Sequence, residues 1–320
     1  MLKKLLLLVT LIGSTFLAHS QGCSDAGFCT MGAMKPGQGY NKKLKVKLRS
    51  IEVSYYRGES TLTPVIYVAN VDATVSLSDN LGIQVKVPYQ QVNGAFDNTS
   101  GLGDISLSVT KRLISSEKFD VSATFGGKIP SNNSDLKSSG TKRPLSKGLD
   151  LPMYYQTSLG SYDFVAGISL INKKWMFATG IQMALTANNN NFNRSEWLDL
   201  VYPNRDYIWS YARANKLKRG TDVMIRIERN FRFSNYNFNI GILPIYRISK
   251  DQIEDPDTLE RIKVDDTTGL AFTVLGGFSY SFNTKSTLKL SYGHKITDRK
   301  INPDGLTRHN VMIVGYVFRF

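Results

Sequence analysis

Residues Val75 to Leu113 read VSLSDNLGIQVKVPYQQVNGAFDNTSGLGDISLSVTKRL, and their alternation constrains the fold more than any other feature. One strand ends near Leu77 and Ser78-Asp79-Asn80 turns the chain. A second strand, Leu81 to Tyr89, carries Ile83, Val85, Val87 and Tyr89 on one face. An Asn/Gly-rich connection from Asn93 to Gly101 then leads into a third alternating strand with Ile105, Leu107 and Val109. Side chains of a strand alternate between its two faces, so each strand has one apolar and one polar face. Repeated with short turns at one end and long loops at the other, this is the signature of a transmembrane β-barrel.

The repetition continues to the C-terminus. Short turns separate strand pairs at Ser115-Ser116-Glu117, Asn172-Lys173-Lys174, Ser234 and Asn283-Thr284-Lys285. Long connections run through Pro130 to Ser158, Asn188 to Arg219, Lys250 to Thr268 and around Asn302-Pro303-Asp304-Gly305. The spacing predicts an all-β, antiparallel up-and-down barrel of 12 strands over residues 41–320, with both termini in the periplasm. A hairpin hidden in Leu149 to Ser158, or in the aromatic loop, makes the alternative 14. In the first strand Leu44, Val46 and Leu48 alternate, and Ile51, Val53 and Tyr55 resume one residue out of phase, which predicts a β-bulge. A soluble β-sandwich also alternates, but the terminal Phe320 and the aromatic strand ends favour the barrel.

Residues 1–20 read as a secretory signal. Lys3 and Lys4 are the charged region, Leu5 to Leu17 is apolar, and Ala18-His19-Ser20 supplies small residues before a cut at Gln21. No later apolar run approaches the roughly 20 residues of a transmembrane helix. An exported barrel of this type belongs in a Gram-negative outer membrane. Residues 21–40 have no period and form a periplasmic segment or a plug in the barrel mouth. Cys23 and Cys29, the only cysteines, meet oxidising conditions and are expected to pair in a disulfide; lipid attachment at Cys23 is the rival. This segment also suits contact with a partner protein.

Removing Lys3 and Lys4 from 40 basic residues leaves 38 against 26 acidic ones, a net charge of +12. In an exported chain that excess points to anionic lipid or anionic solutes rather than nucleic acid. With the apolar face toward lipid, Lys45, Lys47, Arg49, Lys86, Arg226, Glu228, Arg232 and Lys289 are expected to line the lumen. They either attract solute or close the lumen with salt bridges. Trp197, Tyr207 and Trp209 in the longest loop are candidates to stack on a ligand at the mouth, or to anchor the loop. No metal-ligand spacing, phosphate loop or nucleophile elbow is present, so no cofactor or catalytic residue is expected. His294 near Ser291 is the sole hint of a hydrolase, and its setting at a strand's end reads as a rim position.

Val87-Pro88-Tyr89 followed by Gly101-Leu102-Gly103-Asp104 resembles the Gram-negative outer-membrane family named for the phenol meta-degradation pathway. Leu159-Gly160-Ser161-Tyr162-Asp163 resembles a second feature of that family, where a loop re-enters the barrel. The likeness covers residues 45–320 thinly and 65–185 best, and residues 21–40 depart from it. It implies uptake of small, often hydrophobic or aromatic compounds. The competing function is a structural or assembly component of an outer-membrane complex.

Overall fold

The structure, a computed structural model, describes residues 31–35, 47–60, 62, 64–198 and 205–320. Alternating segments form β1 (Lys47–Ser60), β2 (Val65–Ser78), β3 (Leu81–Asn93), β4 (Asn98–Leu102), β5 (Ile105–Ser115), β6 (Phe119–Ile129), β7 (Asp163–Asn172) and β8 (Trp175–Ala184). After a long loop come β9 (Asp222–Phe233), β10 (Tyr236–Arg247), a small hairpin of β11 (Gln252–Glu254) and β12 (Arg261–Lys263), then β13 (Gly269–Ser281), β14 (Ser286–Thr297) and β15 (Arg308–Arg319). Every pairing is antiparallel, β1 pairs with β15, and the β2–β3 pairing closes the cylinder. β4 and β5 form one interrupted stave, so the 13-stranded sheet is a barrel of 12 staves.

The alternative of 14 is not realised. Residues 149–158 make no hairpin; Met153–Tyr155 is a single buried 3-10 turn. The extra hairpin is β11–β12, which forms its own two-stranded sheet in a loop. The expected bulge in β1 is present, with its register against β2 shifting between Leu48 and Ser50. The Asn93 to Gly101 connection is shorter than the sequence suggests. Asn98–Leu102 is strand, paired with β3 from Asn93↔Asn98 to Tyr89↔Leu102.

The stave breaks at Gly103-Asp104, where Pro88 faces it from β3. Proline has no N–H to give a ladder, so the break costs β3 nothing. Instead the Gly103 amide donates to the Pro88 carbonyl at 2.9 Å. β6 ends opposite Ile105, so among the described residues β4 has no strand on its other side. Its edge is shielded by Ser131, whose hydroxyl donates to the Leu102 carbonyl at 2.5 Å.

The outside of the cylinder is apolar. Val53, Val71, Val85, Phe125, Ile168 and Ile240 are all exposed on it. Across the short-turn end runs an aromatic girdle. Tyr236 and Phe238 of β10 stand directly opposite Tyr280 and Phe278 of β13, with ring centroids 5.0 and 5.1 Å apart. Such a surface would aggregate in water but is satisfied by lipid, where only closed ladders leave no backbone group unpaired. The barrel is therefore built for the outer membrane, with short turns at the periplasmic end and long loops outside.

Candidate functional site

The inward faces of twelve staves enclose more space than their side chains fill, and main chain occupies the rest. Met31–Lys35 lies inside the barrel as one 3-10 turn, closed by the Met34 amide donating to the Met31 carbonyl at 3.0 Å. Gly32 has φ +48 and presses on Thr110 and Thr124, where a side chain would collide. Its amide donates to Gln84 Oε1 at 2.5 Å. Met34 is fully buried against Gly167, whose missing side chain lets the turn approach the wall. Lys35 Nζ lies 2.6 Å from Asp72 and 2.9 Å from Glu52. Glu52 is shared with Lys289 at 3.2 Å.

The lumen is divided by polarity. On the side of β7 to β10 the inward residues include Val165, Met176, Ala178, Met224, Leu243 and Ile245, packed with Met31 and Met34 in one apolar cluster. Alternation alone predicts polar residues there; the apolar track is a departure that the sequence reading missed. The inward charges on both sides are paired. At the periplasmic end of the same side, on β9, Arg226 Nε donates to Glu228 Oε1 at 2.6 Å, and on the other side Lys289 of β14 is held by Glu52 of β1.

Above the plug lies a fully buried ionic hub. The Arg247 guanidinium reaches Asp222 at 2.7 Å, Asp251 at 2.9 Å and Asp304 at 2.8 Å. It thereby ties β9 and β10 to the two loops that precede β11 and β15. Burial works against the Asp304 charge, yet Arg247, Arg299 and Arg219 hold its carboxyl well below the usual range. Burial raises Asp251 instead, and Arg247 offsets this only in part. Arg219 is paired with Asp163, which also accepts from Gln182 at 2.5 Å.

The outer mouth is sealed by an aromatic cluster centred on buried Phe96. Its ring lies 4.5 Å from Trp197, 5.0 Å from Tyr211, 5.5 Å from Tyr155 and 5.9 Å from Tyr207. Each polar tip has a partner: Trp197 Nε1 donates to the Asp150 carbonyl at 3.0 Å, and the Tyr207 and Tyr211 hydroxyls both donate to the Leu62 carbonyl at 2.8 Å. Below the cluster, Asp104 accepts from the Ser158 hydroxyl at 2.5 Å and the Leu159 amide at 3.1 Å. The two segments that carry the family resemblance thus touch each other. Between mouth and plug remains a polar cavity of about 40 Å³, bordered by Lys86, Gln90, Lys128, Gln156 and Arg308. That is room for a few waters.

The sequence-derived candidates separate accordingly. Lys86, Arg226, Glu228 and Lys289 face the interior, but Arg226, Glu228 and Lys289 are locked in ion pairs. Arg49 is the bulge residue, half-buried within electrostatic reach of Arg112 and Asp79. Arg232 is exposed at the periplasmic end of β9 rather than buried in the lumen. Trp197 is enclosed and Tyr207 half-buried, so neither offers a free ring face; Trp209 is exposed under the Arg194 guanidinium, 3.9 Å from its ring centroid. Lys45, Cys23 and Cys29 lie outside the described residues, as does the side chain of Lys47. On β14, Ser291 and His294 fall on opposite faces, so they cannot form a hydrolytic pair. Sequence reasoning missed Phe96 and Phe192, isolated rings in polar loops, and Tyr155 beside Tyr154, which only the fold gathers.

The fold is similar to that of an outer membrane channel from Pseudomonas putida F1, with a TM-score of 0.58 and 13% identity over 88% of this chain and 99% of that one. NanC porin aligns with a TM-score of 0.46 and 10% identity, covering 86% of this chain and 100% of its own. A monoaromatic hydrocarbon channel, CymD, aligns at 0.39 and 12%, covering 94% of each. No family model matches the chain, and no curated protein matches it. At such identities the likeness to the Pseudomonas channel supports the architecture alone, a closed twelve-stranded antiparallel barrel.

Proposed function

We propose that the protein is an outer-membrane channel for small apolar or aromatic molecules, held closed in this state by its own N-terminal turn and loops. The observation that carries this reading is the apolar track inside the barrel, from Val165 and Met176 to Met224 and Ile245. A passage for anionic solutes needs unpaired cations along its wall, and Arg226 and Lys289 are already paired. Methionine suits an apolar route because its unbranched, polarisable chain adapts to ligands of different shape. The resemblance to the phenol meta-degradation family points the same way.

The test is uptake by intact cells with and without the protein. The apolar dye N-phenylnaphthylamine should enter faster in cells that carry it. Met224→Lys, which puts a charge on the track, should remove that gain while the barrel still inserts. Faster entry of glucuronate than of the dye would overturn the apolar reading.

A second reading is a structural role in an outer-membrane assembly. The filled lumen favours it, because a scaffold gains stability from a packed interior. A stoichiometric partner lost on deletion of residues 21–40, together with unchanged dye entry, would establish it.

A further inference from the structure

A second cavity, of about 540 Å³, opens on the outer rim where β8 and β9 part company. The β8–β9 ladder stops at Gln182↔Asp222, and above it the two chains diverge into their loops. Met183 forms the lipid-side floor, and Lys218, Thr221, Ser249, Lys250 and Lys263 form the sides. The neighbouring outward residues Leu185, Tyr246 and Ile248 are exposed and apolar, so the lipid-facing band runs up to the floor.

The charges around this cavity are unequal in their commitments. Arg219 borders it but is consumed by buried Asp163. Lys250 touches Asp265 at 2.5 Å, but both side chains are exposed, and such pairs hold little energy. Among the described residues no carboxylate lines the cavity, and Glu254 and Asp251, next to Gln252 in the chain or one residue beyond it, are engaged with Lys216 and Arg247. Lys218 and Lys263 therefore leave a positive field above an apolar floor. The Thr221 and Ser249 hydroxyls and the Gln252 amide border the same space and are potential donors to an anion.

We propose that this cavity binds the phosphorylated headgroup of an outer-leaflet glycolipid, with an acyl chain lying along Met183, Leu185 and Ile248. A phosphate accepts charge-assisted hydrogen bonds from ammonium and hydroxyl groups, and an acyl chain needs an adjoining apolar face. A free anion would use only the first half of the site. The site does not depend on whether the lumen conducts.

Native mass spectrometry of the full chain in detergent tests this with three probes: bisphosphorylated lipid A, dephosphorylated lipid A and inorganic phosphate. The bisphosphorylated lipid should bind and the other two should not compete at equal concentration. The double variant Lys218→Gln/Lys263→Gln should weaken binding roughly thirtyfold, from about 1 kcal/mol per basic residue near an anionic surface. The control Lys173→Gln/Lys174→Gln, on a periplasmic turn, should bind as the native chain does. Equal binding by the two variants would overturn the proposal. Equal binding of dephosphorylated lipid, or displacement by inorganic phosphate, would also overturn it.

Discussion

Lys35 is the residue that latches the plug. Burial disfavours its ammonium, but Glu52 and Asp72 overcome this and hold its pKa above the ordinary lysine value. A raised basic pKa stabilises the folded contact fully below the unfolded value, about 10.4, and the contribution is lost as pH rises through the folded value. The latch should thus persist through neutral pH and release only in strong alkali. Lys35→Glu sets three carboxylates together and should free the turn at pH 7. Breaking a buried pair costs about 3–5 kcal/mol, so amide exchange at Gly32 and Lys35 should accelerate by at least about a hundredfold. Unchanged exchange would refute the latch. Arg247→Met leaves Asp222 and Asp251 buried without their ion-pair partner and Asp304 paired with Arg299 alone, and should cost a similar 3–5 kcal/mol in denaturant unfolding. Asp304, depressed by its arginines, contributes stability above the ordinary carboxylate range, about pH 4, and loses it as pH falls further. Asp251, raised by burial, works in the opposite sense, so acid loosening of the loops should follow Asp304 and vanish in Asp304→Asn.

Among the elements, the mouth loops behave as a small aromatic core. Phe96→Ala removes the ring at its centre and should cost about 3–5 kcal/mol of local stability. Protease cleavage within residues 185–221 should then quicken, while Trp209→Ala, at the exposed rim, should leave the rate unchanged. Gly167→Val should displace Met34 from the wall and also press on the Thr179 carbonyl of β8, and hydrogen exchange in the turn and along the β7–β8 ladder can separate the two effects. The strands themselves were legible because alternation is a local signal; even the bulge at Leu48 to Ser50 appears as a phase slip in β1. The Asn93 to Gly101 connection was misjudged because Asn98 to Gly101 carries no apolar alternation, and its strand character comes from pairing with β3. The site was less legible still. Phe96, Tyr155 and Tyr211 are 56 to 115 residues apart, and only the folding of three loops into one mouth brings them together. The Gly101 to Asp104 and Leu159 to Asp163 segments are the exception, since both drew notice in sequence and meet where the Leu159 amide donates to Asp104.

For the whole molecule, the lesson lies in what fills the barrel. Eight-stranded barrels close their lumen with their own side chains, whereas larger ones leave space. Here twelve staves are filled by a separate turn, Met31–Lys35, and by loop segments such as Met153–Tyr155, fastened to the wall by side-chain contacts, polar and apolar, rather than by strand pairing. A filling held this way can leave without unfolding the wall. The most direct measurement is planar-bilayer conductance of the full chain beside a chain lacking residues 21–40. The full chain should stay mostly closed, and the shortened chain should show stable open conductance with an unaltered barrel. Silence from both, with the barrel intact, would contradict the account and leave a scaffold in its place.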